Sequence, residues 1–480
     1  MKLFIKRTAP VLGLLGLGLA SCQPDIEAPS VSAGSADFSR YISVGNSLTA
    51  GYSDNGLYRE GQLNSYPSIL ASQFAQVGGG TFVQPLFTEA QSNGSGYLRL
   101  AGFTATGSPI TAGVAGNAGR NTGAPATAPY TKFTDPINNL GVPGIRMSDI
   151  NTPGYGSVQG NPYFERITPD ATPFQTYLQR VQATVASIKP TFFTEWLGNN
   201  DVLGYATSGG ASAAANNSLT SVATFTTNTS QVLDALTAGG AKGLVATIPD
   251  VTGIPFFTTV GPVFKATLAT NNVPGAVILT GSATGGPASG NRKQIAAADI
   301  RDASGGRQLF TLTSSPILGF FGRPSGAPWR YLIAQAGLPK AALGPTLNAY
   351  GVDTTAAFGA SAGNPIPSAF VLDDVEQGLV TNATNSFNSA LTTAANARNL
   401  AVFDANLFFK SVAANGLVTN AVNNTAGYLS GNLFSLDGVH PTPRGYSVIA
   451  NEMLKAINAK YGSSFQGVNP TTYRGVVFPQ

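Results

Sequence analysis

The chain runs to 480 residues, only 10% of them charged, and 27 Lys and Arg against 23 Asp and Glu leave a formal net charge of +4. With no Lys/Arg run and no basic–aromatic stripe, that balance points to no nucleic-acid partner. A single cysteine and a single histidine exclude a disulfide within the chain and a zinc cage built from both residue types.

Lys2, Lys6 and Arg7 open the chain, and Ala9 through Ala20 form an apolar run too short to span a membrane permanently. Leu19-Ala20-Ser21-Cys22 follows and resembles the lipobox of bacterial lipoproteins. The resemblance implies removal of residues 1–21 and attachment of diacylglycerol to the sulfur of Cys22. Each buried methylene contributes about 0.8 kcal/mol, so two or three acyl chains anchor stably where one does not. No aspartate follows Cys22, and in a Gram-negative host this leads us to expect outer-membrane sorting within the cell envelope. Residues 22–37, polar with Pro, Ser and Gly, read as a flexible tether.

Order is expected from Phe38. Tyr41-Ile42-Ser43-Val44 reads as a strand stopped by Gly45. Residues 78–133, rich in Gly, Thr, Ala and Asn, read as an insertion of loops and short strands. Phe174, Tyr177, Leu178, Val181, Val185 and Ile188 have helical spacing closed by Pro190, and Thr191 to Leu197 reads as a buried strand. The rhythm repeats with Leu219 to Leu236 before Gly243–Ile248. It returns with Val375, Leu379, Phe387 and Leu391 before Leu400–Phe403, and a last helix carries Tyr446 to Ile457. Such alternation predicts a parallel sheet with helices on both faces in one domain over 38–480. Residues 255–370, dense in Pro and Gly, interrupt it as a second insertion or a cap. Their Phe256-Phe257, Phe320-Phe321 and Trp329 read as the insertion's own core, with an acyl pocket or lid as the alternative.

Three short strings carry chemistry. Gly45-Asn46-Ser47-Leu48 puts a serine between a strand and a helix. Gly198-Asn199-Asn200-Asp201 follows a strand, and Asp437-Gly438-Val439-His440-Pro441 holds the sole histidine three residues after an aspartate. Ligands of an open parallel sheet sit beyond the carboxyl ends of its strands, so these distant segments are expected at one edge. A serine hydroxyl needs a neighbouring base, and an Asp-x-x-His turn can supply an oriented imidazole. Taken singly, each string is an ordinary turn, cap or loop.

With Asn139-Leu140-Gly141-Val142-Pro143-Gly144 added, four segments spread over nearly the whole mature chain resemble the SGNH or GDSL-type serine esterases and lipases. The resemblance implies a flavodoxin-like, three-layer α/β fold. It makes Ser47 the nucleophile, completes a triad with Asp437 and His440, and assigns the oxyanion hole to Ser47, Gly144 and Asn200. Ser47 at a helix start would aim its own N–H and the helix dipole at the oxyanion. No metal or organic cofactor is implied. One position departs from the family pattern: Asn46 stands where aspartate is usual, which leaves a hydrogen bond but no charge. Asp201 is expected to hold the loop that presents Asn200. The implied reaction is hydrolysis of a carboxylic ester, of an acyl lipid or simple ester, through an acyl-enzyme. Deacetylation of polysaccharide is the competing substrate class. A non-catalytic envelope lipoprotein that binds glycan or lipid on this scaffold is the rival of another kind.

Overall fold

Five short segments, buried almost throughout, form the central sheet: β1 Tyr41–Gly45, β2 Asn139–Gly141, β3 Phe192–Trp196, β4 Lys242–Ala246 and β5 Ala401–Phe403. They lie in the order β2-β1-β3-β4-β5, every pair parallel, in a computed structural model that describes residues 30–104, 109–120, 129–210, 217–281 and 291–479. This is the order of doubly wound, flavodoxin-like sheets. Burial on both faces explains why the strands read as apolar runs rather than alternating ones.

One face packs Ile42, Val44, Phe193 and Val245 against helices Tyr177–Ile188, Val222–Thr237 and Asp374–Ala397. The other packs Tyr41, Phe192, Trp196 and Leu244 against helices Tyr66–Phe74 and Pro443–Tyr461. Parallel strands bring all five carboxyl ends to one edge. The register Gly45↔Trp196 and Val44↔Leu140 brings the segments after β1, β2 and β3 side by side there.

Periodicity and burial part company at four apolar positions, of which Val222, first residue of its helix, is one. Phe174 is 72% exposed and lies ahead of its helix, which starts at Tyr177 behind the capping box of Thr176 and Gln179. Val375 and Leu379 are exposed, because the buried stripe of their helix runs through Glu376, Val380, Thr384, Phe387, Leu391 and Ala395. Glu376 is turned inward by polar work: its carboxylate accepts from the backbone N–H groups of Asp373 and Gly281.

The first insertion contains an antiparallel hairpin, Gly96–Phe103 with Pro109–Ala115, whose second strand is largely exposed. The second has its own core around Phe264, Ile278, Phe310, Phe358 and Phe370, and Trp329 is buried with its indole N–H on Asn364. Phe257 is buried, whereas Phe256 is half-buried and its backbone N–H bonds the carbonyl of Gly438. Residues 1–21 and Cys22 lie outside the described residues. Of the stretch read as a tether, residues 30–37 are described, and their end is docked: Ser35 N–H donates to the Tyr461 carbonyl and Ala36 is buried. No helix among the described residues is long and apolar enough to cross a membrane.

Candidate active site

Ser47 follows β1 directly. Asn46 caps the turn, its Oδ1 accepting from Leu48 N–H at 3.0 Å. The helix behind Ser47 is a single turn, Ser47–Ala50, closed by Gly51, so the dipole expected there amounts to one turn of peptides. Gly45 is required by close approach: a Cβ there would lie 2.0 Å from Thr49 Oγ1. Asn46 is fully buried, and its Nδ2 has no protein partner among the described residues.

His440 comes back to Ser47 across 393 residues. Its Nε2 lies 2.9 Å from Ser47 Oγ, and its Nδ1 lies 2.8 Å from Asp437 Oδ2. Asp437 Oδ1 also accepts the N–H groups of Val439 and His440, and Ser435 Oγ at 3.2 Å. Burial pushes the Asp437 carboxyl up, but the charge and hydrogen bonds of His440 and the backbone outweigh it and leave it below the usual carboxylate value. The Ser435–His440 loop closes on itself through Ser435 N–H to the His440 carbonyl at 2.8 Å.

A second segment, which sequence reasoning missed, braces this loop. In the tight turn Ser53-Asp54-Asn55-Gly56, Asp54 and Asn55 both take positive φ, 51° and 60°. Asn55 N–H donates to Asp437 Oδ2 at 3.0 Å and Asp54 N–H to Ser435 Oγ at 2.8 Å, while Asp54 Oδ1 accepts from Leu436 N–H. Asp-Asn-Gly was readable as a turn able to hold left-handed backbone. Its partner, about 380 positions away, was not readable. Tyr52 is a further omission: its ring centroid lies 4.6 Å from that of His440. Burial, then the Asp437 charge, raises its phenol well above the ordinary value, so it stays neutral.

On the other flank, Val142 N–H bonds the Gly45 carbonyl, which sets the loop after β2 beside Ser47. Buried Tyr177 ties the two strand ends together, accepting from Gly45 N–H and donating to the Leu140 carbonyl. Gly144 is exposed at φ 83°, a conformation that favours glycine. Neither its N–H nor that of Ser47 has a protein acceptor among the described residues. Asn200, first residue of helix Asn200–Thr207, donates through Nδ2 to the Ile145 carbonyl at 2.8 Å, which leaves its second amide hydrogen unused by that bond. Asp201 grips the Gly144 loop rather than its own: it accepts from Met147 N–H at 2.7 Å and Ser148 N–H at 3.2 Å, with Thr220 Oγ1 at 2.6 Å. Ser47, Asp437 and His440 are thus in direct contact, and Gly144 and Asn200 adjoin them through one loop.

The arrangement offers an oriented imidazole on a hydroxyl, beside two backbone N–H groups without a protein acceptor among the described residues. Among the described residues no group of three acidic, His or Cys side chains could hold a metal. No family model matches the chain, and no curated protein is similar to it. Among solved structures it is similar to LAE5, an alpha/beta hydrolase enzyme from the metagenome of Lake Arreo in Spain. That likeness has 10% identity and a TM-score of 0.35 over 88% of this chain and 96% of the other. It is similar also to the lipase/acylhydrolase from Enterococcus faecalis, at 11% identity and a TM-score of 0.32 over 89% and 98%.

Proposed function

We propose that this protein is a serine esterase of the SGNH type that hydrolyses carboxylic esters through an acyl-enzyme, anchored in the cell envelope through Cys22. The observation that carries the reading is the continuous contact from Asp437 through His440 to Ser47 Oγ, 2.8 and 2.9 Å. Ser47 Oγ attacks the ester carbonyl carbon and its proton passes to His440 Nε2, while Asp437 holds the imidazolium. The carbonyl oxygen takes up negative charge and is met by the N–H groups of Ser47 and Gly144 and the free hydrogen of Asn200 Nδ2. The bond to the alcohol oxygen breaks, and that oxygen leaves with the proton from His440. Water then attacks the acyl-enzyme, giving one proton to His440, which returns it to Ser47 Oγ as the carboxylic acid departs.

The test is hydrolysis of p-nitrophenyl esters, from acetate to long acyl chains, by the full chain. Turnover that falls at least about 10³-fold in both Ser47→Ala and His440→Ala is the expected result. Absence of turnover on every ester, with no labelling of Ser47 by a fluorophosphonate, overturns the reading in favour of a binding protein.

A further inference from the structure

Beside His440 stands a row of phenols that the triad does not use. Tyr52 lies against the imidazole, Tyr163 meets Tyr52 edge-on at 6.2 Å between centroids, and Tyr130 lies 5.4 Å from Tyr163. All three are only partly buried. Their hydroxyls adjoin in series, and Ser95 stands next to those of Tyr163 and Tyr130. Among the described residues none of the three hydroxyls donates to a backbone carbonyl. The row reaches the other flank as well. Asn161 caps the turn that carries Tyr163, and its Nδ2 donates to the Pro143 carbonyl, one residue before Gly144.

We propose that this wall binds the alcohol half of the ester and that the alcohol is a carbohydrate, an inference that rests on the esterase reading and names its substrate class. His440 must protonate the departing alcohol oxygen, so the surface beside the imidazole is where that alcohol lies. A sugar ring has an apolar C–H face and a rim of hydroxyls. Phenol faces cover the first, and the phenol hydroxyls, hydrogen-bonded to one another and to Ser95, keep lone pairs that accept from the second. An alkyl alcohol or acyl chain on the same wall would desolvate those remaining lone pairs and return no hydrogen bond, which costs free energy. Across the His440 loop, the Phe256 backbone and the Leu312 side chain lie against Gly438 and bring no hydroxyl there. As in simple ester cleavage, the bond between the sugar oxygen and the acyl carbon breaks, and the sugar oxygen leaves carrying the His440 proton.

Titration calorimetry on full-length Ser47→Ala tests this without turnover, using acetylated xylotetraose as the probe. Binding is expected, and the doubles Ser47→Ala/Tyr163→Ala and Ser47→Ala/Tyr130→Phe should weaken it by about tenfold or more, the worth of one stacking or hydroxyl contact. In the Ser47 background, Tyr163→Ala should lower kcat/KM for the acetylated sugar at least about tenfold more than for p-nitrophenyl acetate. An equal fall on both substrates, or no binding by Ser47→Ala, overturns the proposal. The underlying reading fails separately, when the unaltered protein turns over no p-nitrophenyl acetate and a fluorophosphonate leaves Ser47 unlabelled.

Discussion

Asp437, partly buried, and Asp201, fully buried, are both carboxylates that hold a loop beside Ser47, yet their environments push them in opposite directions. Asp437 faces the imidazole of His440, and its carboxyl is held below the usual range despite burial. Asp201 is pushed up to about 6, because burial exceeds what Thr220, the backbone of Met147 and Ser148, and Arg146 return to it. Both carboxylates receive hydrogen bonds and an opposite-charge contribution, from His440 on one side and Arg146 on the other, but only at Asp437 do these together exceed the cost of burial. The two flanks therefore divide the work. The His440 flank holds Asp437 through His440, Ser435 and the Asp54–Asn55 turn, and the Gly144 flank is a geometric clamp closed by Asp201.

The strongest way to break that division is to remove the charge of Asp437 and keep its shape. Asp437→Asn should lose about 10³–10⁴-fold in kcat with KM little changed, because the imidazolium loses its partner and the tautomer is no longer set. Steady-state kinetics on p-nitrophenyl acetate read this directly. A loss of tenfold or less would mean that the 2.8 Å contact is structural only. On the other flank, Asn200→Ala should cost about 10²–10³-fold in kcat, the range for one oxyanion donor. Losing more than Asp437→Asn would reverse the comparison.

The smallest effect sharpens the contrast through pH. A carboxyl raised in the fold contributes stability that is present below its unfolded value and lost as pH rises through the folded one. For Asp201 the window runs from 3.8 to about 6. Relative to the unaltered protein, Asp201→Asn should therefore gain on the order of 2–3 kcal/mol across that window and hold level above it. Asp437 has the opposite sign: its contribution is present above 3.8 and disappears as pH falls below it. The disadvantage of Asp437→Asn should accordingly shrink only in acid. Urea denaturation of both variants from pH 3 to 8 checks the pair, and parallel curves would remove the electrostatic distinction.

Much of the site was legible because its chemistry needs particular residue types at strand ends. Ser47 after Gly45, Asn200 after Gly198, and the sole histidine three residues from Asp437 are such positions. The Ser53–Gly56 brace was invisible for a physical reason: Asn55 meets Asp437 across 382 residues, and its contribution is a backbone N–H that any residue carries. The row of Tyr52, Tyr130 and Tyr163 was hidden likewise, since three aromatics in separate segments have no common spacing. Val375 and Leu379 misled in the other direction. Their helical spacing is real, but the inward face of that helix was taken by Glu376, a polar residue with two backbone donors to satisfy.

The sequence by itself determined the alternation of strands and helices, and with it the shared edge where the carboxyl ends gather, because parallel pairing leaves a chain of this periodicity little other choice. It determined the order of the candidate site residues as well. Only the tertiary structure decided that His440 and the backbone outweigh burial at Asp437 while burial wins at Asp201, that a left-handed turn carries the Ser435–His440 loop, and that phenols flank the imidazole. Those outcomes depend on which distant surfaces exclude water from one another. Such desolvation belongs to the packed molecule and to no local stretch of it.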